Sequence, residues 1–217
     1  MERIKVCFLG NWYIASQILE VLATDYYVNI DTVITTVREN DKYSRLVFSQ
    51  AKKYDIKVIN TNEADWRNYL KTNSFDLLIS VSFDYILKKE HYKNAKYGAI
   101  NLHQSLLPLY RGRDPVVNAI INGDDKIGFT IHFIDEGIDT GNIIYQAFWP
   151  LSELDTIESI NKKMALFSKK IFIDIIREIV IKDKSVGIIQ TGYSTYASKI
   201  KPINWDMTVK EIRKAYL

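Results

Sequence analysis

The sequence has little of what would mark several protein classes. It contains one cysteine in 217 residues, so it can form no internal disulfide and no cysteine-based zinc centre. It has only four prolines and nine glycines, and 25% of its residues are charged, which excludes collagen-like, low-complexity and disordered readings. No apolar run approaches the ~20 residues needed to span a bilayer. The first residues, MERIKVCFLG, show no signal-peptide pattern, so the expected location is the cytoplasm and no membrane partner is expected. The net charge of +3 is too small to imply nucleic-acid binding and suits a small anionic substrate. The lone Cys7 lies inside the apolar run Ile4–Leu9, where a buried, inert thiol is expected rather than a nucleophile.

What the chain does have is alternation of strands and helices. Ile4–Leu9 reads as a strand, Gly10 and Asn11 as a tight turn, and Ile14, Ile18, Leu19 and Leu22 as one face of a helix. The same pattern returns with Ile30–Thr35 and Leu46–Lys53, then Ile56–Ile59 and Trp66–Leu70. Phe75–Val81 and Ala99–His103 are continuous apolar runs of the kind seen in strands buried on both faces. This order predicts an α/β fold with a mostly parallel sheet. After residue 125 the runs Ile127–Ile134 and Asn142–Trp149 predict an antiparallel pair joined by a polar loop. Ile157, Ile160, Met164, Phe167, Ile171 and Ile175 predict a long helix with one packed face. A catalytic domain over residues 1–185 and a small extension over 186–217 are expected. Within the extension, Tyr196–Trp205 is polar-aromatic and Thr208–Tyr216 helical.

Two segments can carry chemistry. Asn101 and His103 sit two apart at the end of a strand, so their side chains share a side, at the strand end where open parallel sheets bind ligands. There an amide can donate to a developing oxyanion and an imidazole can donate or exchange a proton. The loop Asp135-Glu136-Gly137-Ile138-Asp139-Thr140-Gly141 is more acidic and longer than a hairpin turn requires. An acid from it beside His103 would favour the imidazolium, but spacing does not select among the three. A metal held by these acids and His132 is a weaker alternative, for want of a recognised ligand spacing. The first turn lacks the glycines of a dinucleotide or P-loop fingerprint. Arg38, Lys42 and Arg45 after the second strand can meet a diphosphate or simply face water.

The run NLHQSLLPLYRGRDPVVNAIINGDDKIGFTIHFIDEGIDTG resembles the folate-dependent formyltransferase family, which carries Asn-x-His, then Ser-Leu-Leu-Pro, then an Asp before Thr-Gly or Gly-Gly. The likeness is strongest over residues 75–147. It implies a Rossmann-like sheet with helices on both faces, N10-formyltetrahydrofolate as co-substrate, no metal, and formyl transfer to an amine. It also implies a catalytic set of Asn101, His103 and Asp139. The folate would sit between Ser82, Phe83, Asp84, Tyr85, Ile86 and Leu87 on one side and Asp135, Gly137 and Ile138 on the other. Asn11, Trp12, Tyr13, Arg38, Ser105, Arg111 and Arg113 would face the acceptor.

Within that family, YRGR, the terminal Ile-x-Trp and the compact length resemble the nucleotide-sugar N-formyltransferases. The expected acceptor is a dTDP- or UDP-linked amino deoxysugar, with dTDP-4-amino-4,6-dideoxyhexose favoured. The product would serve O-antigen, lipopolysaccharide or another surface polysaccharide, and the enzyme would be a homodimer. The branch acting on methionyl-tRNA adds a C-terminal RNA-binding domain, which is not expected here, and with it no nucleic-acid partner is expected. That branch without the domain, and a catalytically silent folate- or nucleotide-binding domain, are the alternatives.

Overall fold

The computed structural model describes residues 3–39, 41, 43–182, 187–201 and 203–216. β1 (Ile4–Gly10), α1 (Trp12–Thr24), β2 (Val28–Thr35), α2 (Arg45–Lys53), β3 (Lys57–Asn60), α3 (Trp66–Thr72), β4 (Leu77–Val81), α4 (Lys89–Tyr92) and β5 (Ala99–His103) alternate as expected. Then come β6 (Arg111–Gly112), α5 (Pro115–Ile121), the antiparallel pair β7 (Lys126–Phe133) and β8 (Ile143–Pro150), α6 (Ile157–Lys182), β9 (Tyr196–Ala197) and α7 (Val209–Tyr216). The seven-stranded sheet runs in the order β3-β2-β1-β4-β5-β7-β8. β3 through β5 are parallel, and β7 joins β5 antiparallel. This is a Rossmann-like α/β fold.

Alternation along each strand builds two cores. In β1, Val6 and Phe8 face a layer containing α1, α5, α6 and α7, while Cys7 and Leu9 face Trp66 and Leu70 of α3. Burial of Cys7 pushes its thiol far above the usual range, which leaves it un-ionised and inert. The buried face of α6 runs through Ile160, Met164, Ala165, Ser168, Phe172, Ile175, Ile176 and Ile179. Phe167 departs from the expected stripe: it is largely exposed and stacks on Trp149 with ring centroids 5.5 Å apart. A helix turns 100° per residue, so a stripe of 26 residues drifts, and positions 164, 168 and 172 hold the centre instead.

The C-terminal segment merges with the main body. Val209 and Ile212 of α7 belong to the same core as β1 and α6. Thr208 and Glu211 cap α7 reciprocally, the Thr208 N–H donating to Glu211 Oε2 and the Glu211 N–H to Thr208 Oγ1. Arg213 then donates to the carbonyls of Ile120 and Asp124. Val186, where the extension was expected to start, lies outside the described residues. No helix among the described residues is long and apolar enough to cross a membrane.

Phe8, fully buried at the centre of β1, tests this packing. Phe8→Ala is expected to cost about 3–5 kcal/mol in urea unfolding, with an unchanged slope. Phe167→Ala, by contrast, is expected to cost less than about 1.5 kcal/mol, because it removes mainly one ring–ring contact.

Candidate active site

The carboxylate of Asp139 is the meeting point of three segments. β5 and β7 place Asn101 opposite His132 and His103 opposite Thr130. The 135–141 loop then folds back, so that Asp139 Oδ2 lies 3.5 Å from His103 Nδ1 and Oδ1 lies 3.5 Å from His132 Nε2. The Gly112 N–H donates to Oδ2 at 2.8 Å, and Asn101 Nδ2 donates to Oδ1 at 3.4 Å. Asn101 Nδ2 also lies 3.2 Å from His132 Nε2, whose other ring nitrogen is 2.7 Å from the Phe133 carbonyl. His103 Nε2 donates to the Tyr110 carbonyl at 2.7 Å.

Local chemistry shapes the loop. Asp135 Oδ1 accepts from the Gly137 N–H at 3.1 Å and from Thr140 Oγ1 at 2.5 Å, which closes the turn. Asp139 itself sits in the left-handed region, with φ 52°. A Cβ at position 141 would lie 1.8 Å from the Phe133 carbonyl oxygen, so only glycine fits the return. Opposite this loop, Lys89 Nζ of α4 pairs with Glu136 Oε1 at 3.0 Å. A cavity of about 500 Å³ opens between α4 and the base of the loop, lined in part by Tyr92, Ala99, Phe133 and Asp135.

Burial acts on both ionisable partners. It raises the cost of the Asp139 charge, but His132, His103 and the Gly112 N–H outweigh it and hold the carboxyl down at about 2. Burial dominates at His103 and pulls the imidazole below its ordinary 6.5, with Asp139 and the Tyr110 carbonyl acting against it. The resting pair is therefore a carboxylate and a neutral imidazole. Nε2–H of that imidazole is committed to Tyr110, and its Nδ1 lone pair faces Asp139. The expectation of an acid beside His103 thus meets Asp139, but desolvation, not the acid, sets the direction of the shift.

The other expected site residues separate into groups. The side chains of the 82–87 turn mostly build its support: Phe83 and Tyr85 pack on Trp66 with centroids 5.3 Å away, and Leu87 is buried. Ser82, at φ 51°, accepts from Gln104 Nε2. Ile86 and Ile138 are exposed apolar side chains, one on each loop. Asp84 pairs with Arg38 at 2.5 Å, and the Arg38 guanidinium lies 5.3 Å over the Trp12 ring. Trp12 in turn meets Trp205, which stacks on Tyr43 at 4.8 Å.

Some of these residues are spent on internal bonds. Asn11 is fully buried, and its Oδ1 accepts from Thr35 Oγ1 and the Thr36 N–H, tying the first turn to β2. Ser105 is buried and donates to the Leu109 carbonyl, so it closes its own loop rather than facing an acceptor. Arg111 is engaged by Gln190 Oε1 at 2.7 Å. Tyr13 packs against the main core, and Arg113 is exposed. Arg45 donates to the Glu39 carbonyl, while Lys42 lies outside the described residues.

Sequence reasoning weighed His132 only as a metal ligand and did not find Gln190 at all. The β5–β7 register places His132 beside Asn101, and register is invisible in a single strand. The three acids of the loop take separate partners, and no group of three His, Cys, Asp or Glu among the described residues can hold a metal ion.

Comparison with known proteins places this geometry. A family model described as formyl transferase matches residues 15–176. A methionyl-tRNA formyltransferase of Wigglesworthia glossinidia brevipalpis is 29% identical over 218 residues, covering 95% of this chain and 68% of that protein. Two further methionyl-tRNA formyltransferases are matched over only 49% and 60% of their own lengths. Among solved structures, the sugar 3N-formyl transferase WlaRD, determined in the presence of dTDP and 5-N-formyl-THF, has a TM-score of 0.73 and 27% identity. It covers all of this chain and 80% of its own. The N-formyltransferase from Helicobacter canadensis, in complex with folinic acid and dTDP-3-aminofucose, has a TM-score of 0.71 and 29% identity, covering 97% of this chain and 78% of its own.

An NMR titration of the three histidines reads the electrostatics directly. The His103 midpoint is expected below 6.5, and Asp139→Asn should lower it further, because the carboxylate is what holds it up. A rise in the variant would contradict the contact.

Proposed function

The chain belongs to the formyl transferase family, and on that premise we propose that it moves a formyl group from N10-formyltetrahydrofolate to the amine of a nucleotide-linked amino sugar. The observation that carries the chemistry is the cluster in which Asn101, His103 and Asp139 converge at the end of β5. Support for the acceptor comes from the two sugar N-formyltransferases solved with dTDP or a dTDP sugar. The likeness extends over the whole chain, the C-terminal segment with it, for the first and over 97% of the chain for the second.

Each group has a task in this reading. The neutral amine attacks the formyl carbon on N10, and charge builds on the formyl oxygen. Asn101 Nδ2 meets that oxygen by giving up its long 3.4 Å contact to Asp139. The amine must lose a proton and N10 must gain one. Asp139, held at about 2, is too acidic to keep a proton, whereas neutral His103 offers Nδ1. The resulting imidazolium has an acceptor at each N–H, Asp139 on one side and the Tyr110 carbonyl on the other. His103 then returns the proton to N10 as the C–N bond breaks. His132, His103 and the Gly112 N–H together keep Asp139 anionic.

The pterin is assigned to the space flanked by the 82–87 turn and the 135–141 loop, the loop being linked to α4 by the Lys89–Glu136 pair. Exposed Ile86 and Ile138 supply apolar walls, and backbone groups of Asp135 and Gly137 supply polar contacts. Arg38, Trp12 and Arg113 remain as acceptor-binding side chains. Arg38 is the strongest of them, because its Nη1 is buried without a partner while it rests on Trp12. Ser105 closes its own loop and Arg111 is engaged by Gln190, whereas Asn11, whose Oδ1 is bonded to β2, keeps a buried Nδ2 without a partner. The second reading is transfer to methionyl-tRNA, favoured by the names of the similar sequences.

A formyl-transfer assay read by mass decides between them. The panel holds dTDP-4-amino-4,6-dideoxyhexose, its 3-amino isomers, the UDP counterparts and methionyl-tRNA. Gain of one formyl on a single nucleotide sugar supports the reading, and transfer only to tRNA overturns it. On the active acceptor, Asn101→Ala is expected to lower kcat by ~10²–10³-fold. His103→Asn should remove turnover while nucleotide-sugar binding persists.

A further inference from the structure

We propose that Gln190 is a positioning residue that holds Asp139 against His103, a role that rests on the formyl-transfer reading for its kinetic meaning. Gln190 lies outside every helix and strand, two residues after the bridge in which Ile143 and Ile188 exchange backbone hydrogen bonds of 2.8 and 2.7 Å. Its amide is used completely. Nε2 donates to the Asp139 carbonyl at 2.9 Å and to the Gly141 carbonyl at 2.8 Å, and Oε1 accepts from Arg111 Nε and Nη2 at 3.2 and 2.7 Å.

Those four contacts bracket the catalytic carboxylate from both sides. The two carbonyls belong to the turn that carries Asp139 in its left-handed conformation. Arg111 precedes Gly112, whose N–H grips Asp139 Oδ2. The same C-terminal segment fastens the Gly112 side again through Thr195, which accepts from the Tyr110 N–H at its hydroxyl and from the Arg111 N–H at its carbonyl. Tyr110 is also the residue whose carbonyl holds His103. Gln190 thereby couples the spacing of Asp139 to that of His103, although it touches neither side chain. An amide is required for this: a glutamate of the same size still accepts from Arg111 but cannot donate to two carbonyls.

The test compares Gln190→Glu and Gln190→Leu with the wild-type chain. Both are expected to melt near the wild-type temperature and to keep the KM for formyltetrahydrofolate, while kcat falls about 10- to 100-fold, as misplacement of a catalytic group does. In Gln190→Leu the NMR midpoint of His103 should move down toward its value in Asp139→Asn, with His91 unmoved. Wild-type kcat in Gln190→Glu, together with an unmoved His103 midpoint in Gln190→Leu, overturns the proposal. So does a variant in which melting temperature, KM and the His91 midpoint all change together, which marks a merely structural role. If Gln190→Leu does not fold, Gln190→Met carries the same titration. Should the wild type transfer formyl to no acceptor, the formyl-transfer reading fails, and the His103 midpoint still decides whether Gln190 sets the pair.

Discussion

A carboxylate set among side chains and backbone, with little contact to water, is costly unless nearly every lone pair finds a partner. Asp139 is in that position, and the surrounding structure is organised to satisfy it. One oxygen takes the Gly112 N–H and faces His103, and the other faces Asn101 and His132. These groups come from β5, from the end of β7 and from β6. The anion therefore ties the irregular half of the molecule to its sheet. The same desolvation that makes Asp139 expensive keeps His103 neutral at rest. Both nitrogens of that neutral imidazole face acceptors, the Tyr110 carbonyl and the Asp139 carboxylate.

The sheet supplies rigidity where this arrangement needs it. β4 and β5 are adjacent parallel strands, β5 being flanked on its other side by antiparallel β7, and Asn101 and His103 lie towards the carboxyl end of β5. The loops that complete the site are held by side chains that do no chemistry: Asp135 within its own turn, Ser105 within the next, and Trp66 beneath Phe83 and Tyr85. Loops of this kind need such ties because they lack a regular hydrogen-bond ladder. Hence several polar residues that look available for ligand in a linear reading are already occupied.

On the far side of the first turn, Trp12, Trp205 and Tyr43 form an aromatic row with Arg38 against it. The row joins the start of the chain to its C-terminal segment. It places a cation, itself paired with Asp84, against ring faces. The likeness to sugar N-formyltransferases and the likeness to methionyl-tRNA formyltransferases describe the same core.

The alternation of apolar runs determined the α/β layering, because a strand buried on both faces and an amphipathic helix leave different periods in a sequence. The spacing of Asn101 and His103, with the acidic loop that follows, was likewise legible, since residues two apart on a strand share a side. The identity of the acid was legible only through family resemblance. Three acids within five residues are equivalent until the backbone turns at Asp139 and Gly141. Only the tertiary structure decided that His132 stands beside Asn101, because strand register is a property of two strands. It also decided that Phe167 leaves the packed face of α6, because a helix face is defined by what it meets. Gln190 carried no signal at all: its partners at 139, 141 and 111 are about 50 to 80 residues away. A single uncharged amide outside any motif acquires a role only when the chain folds back on it.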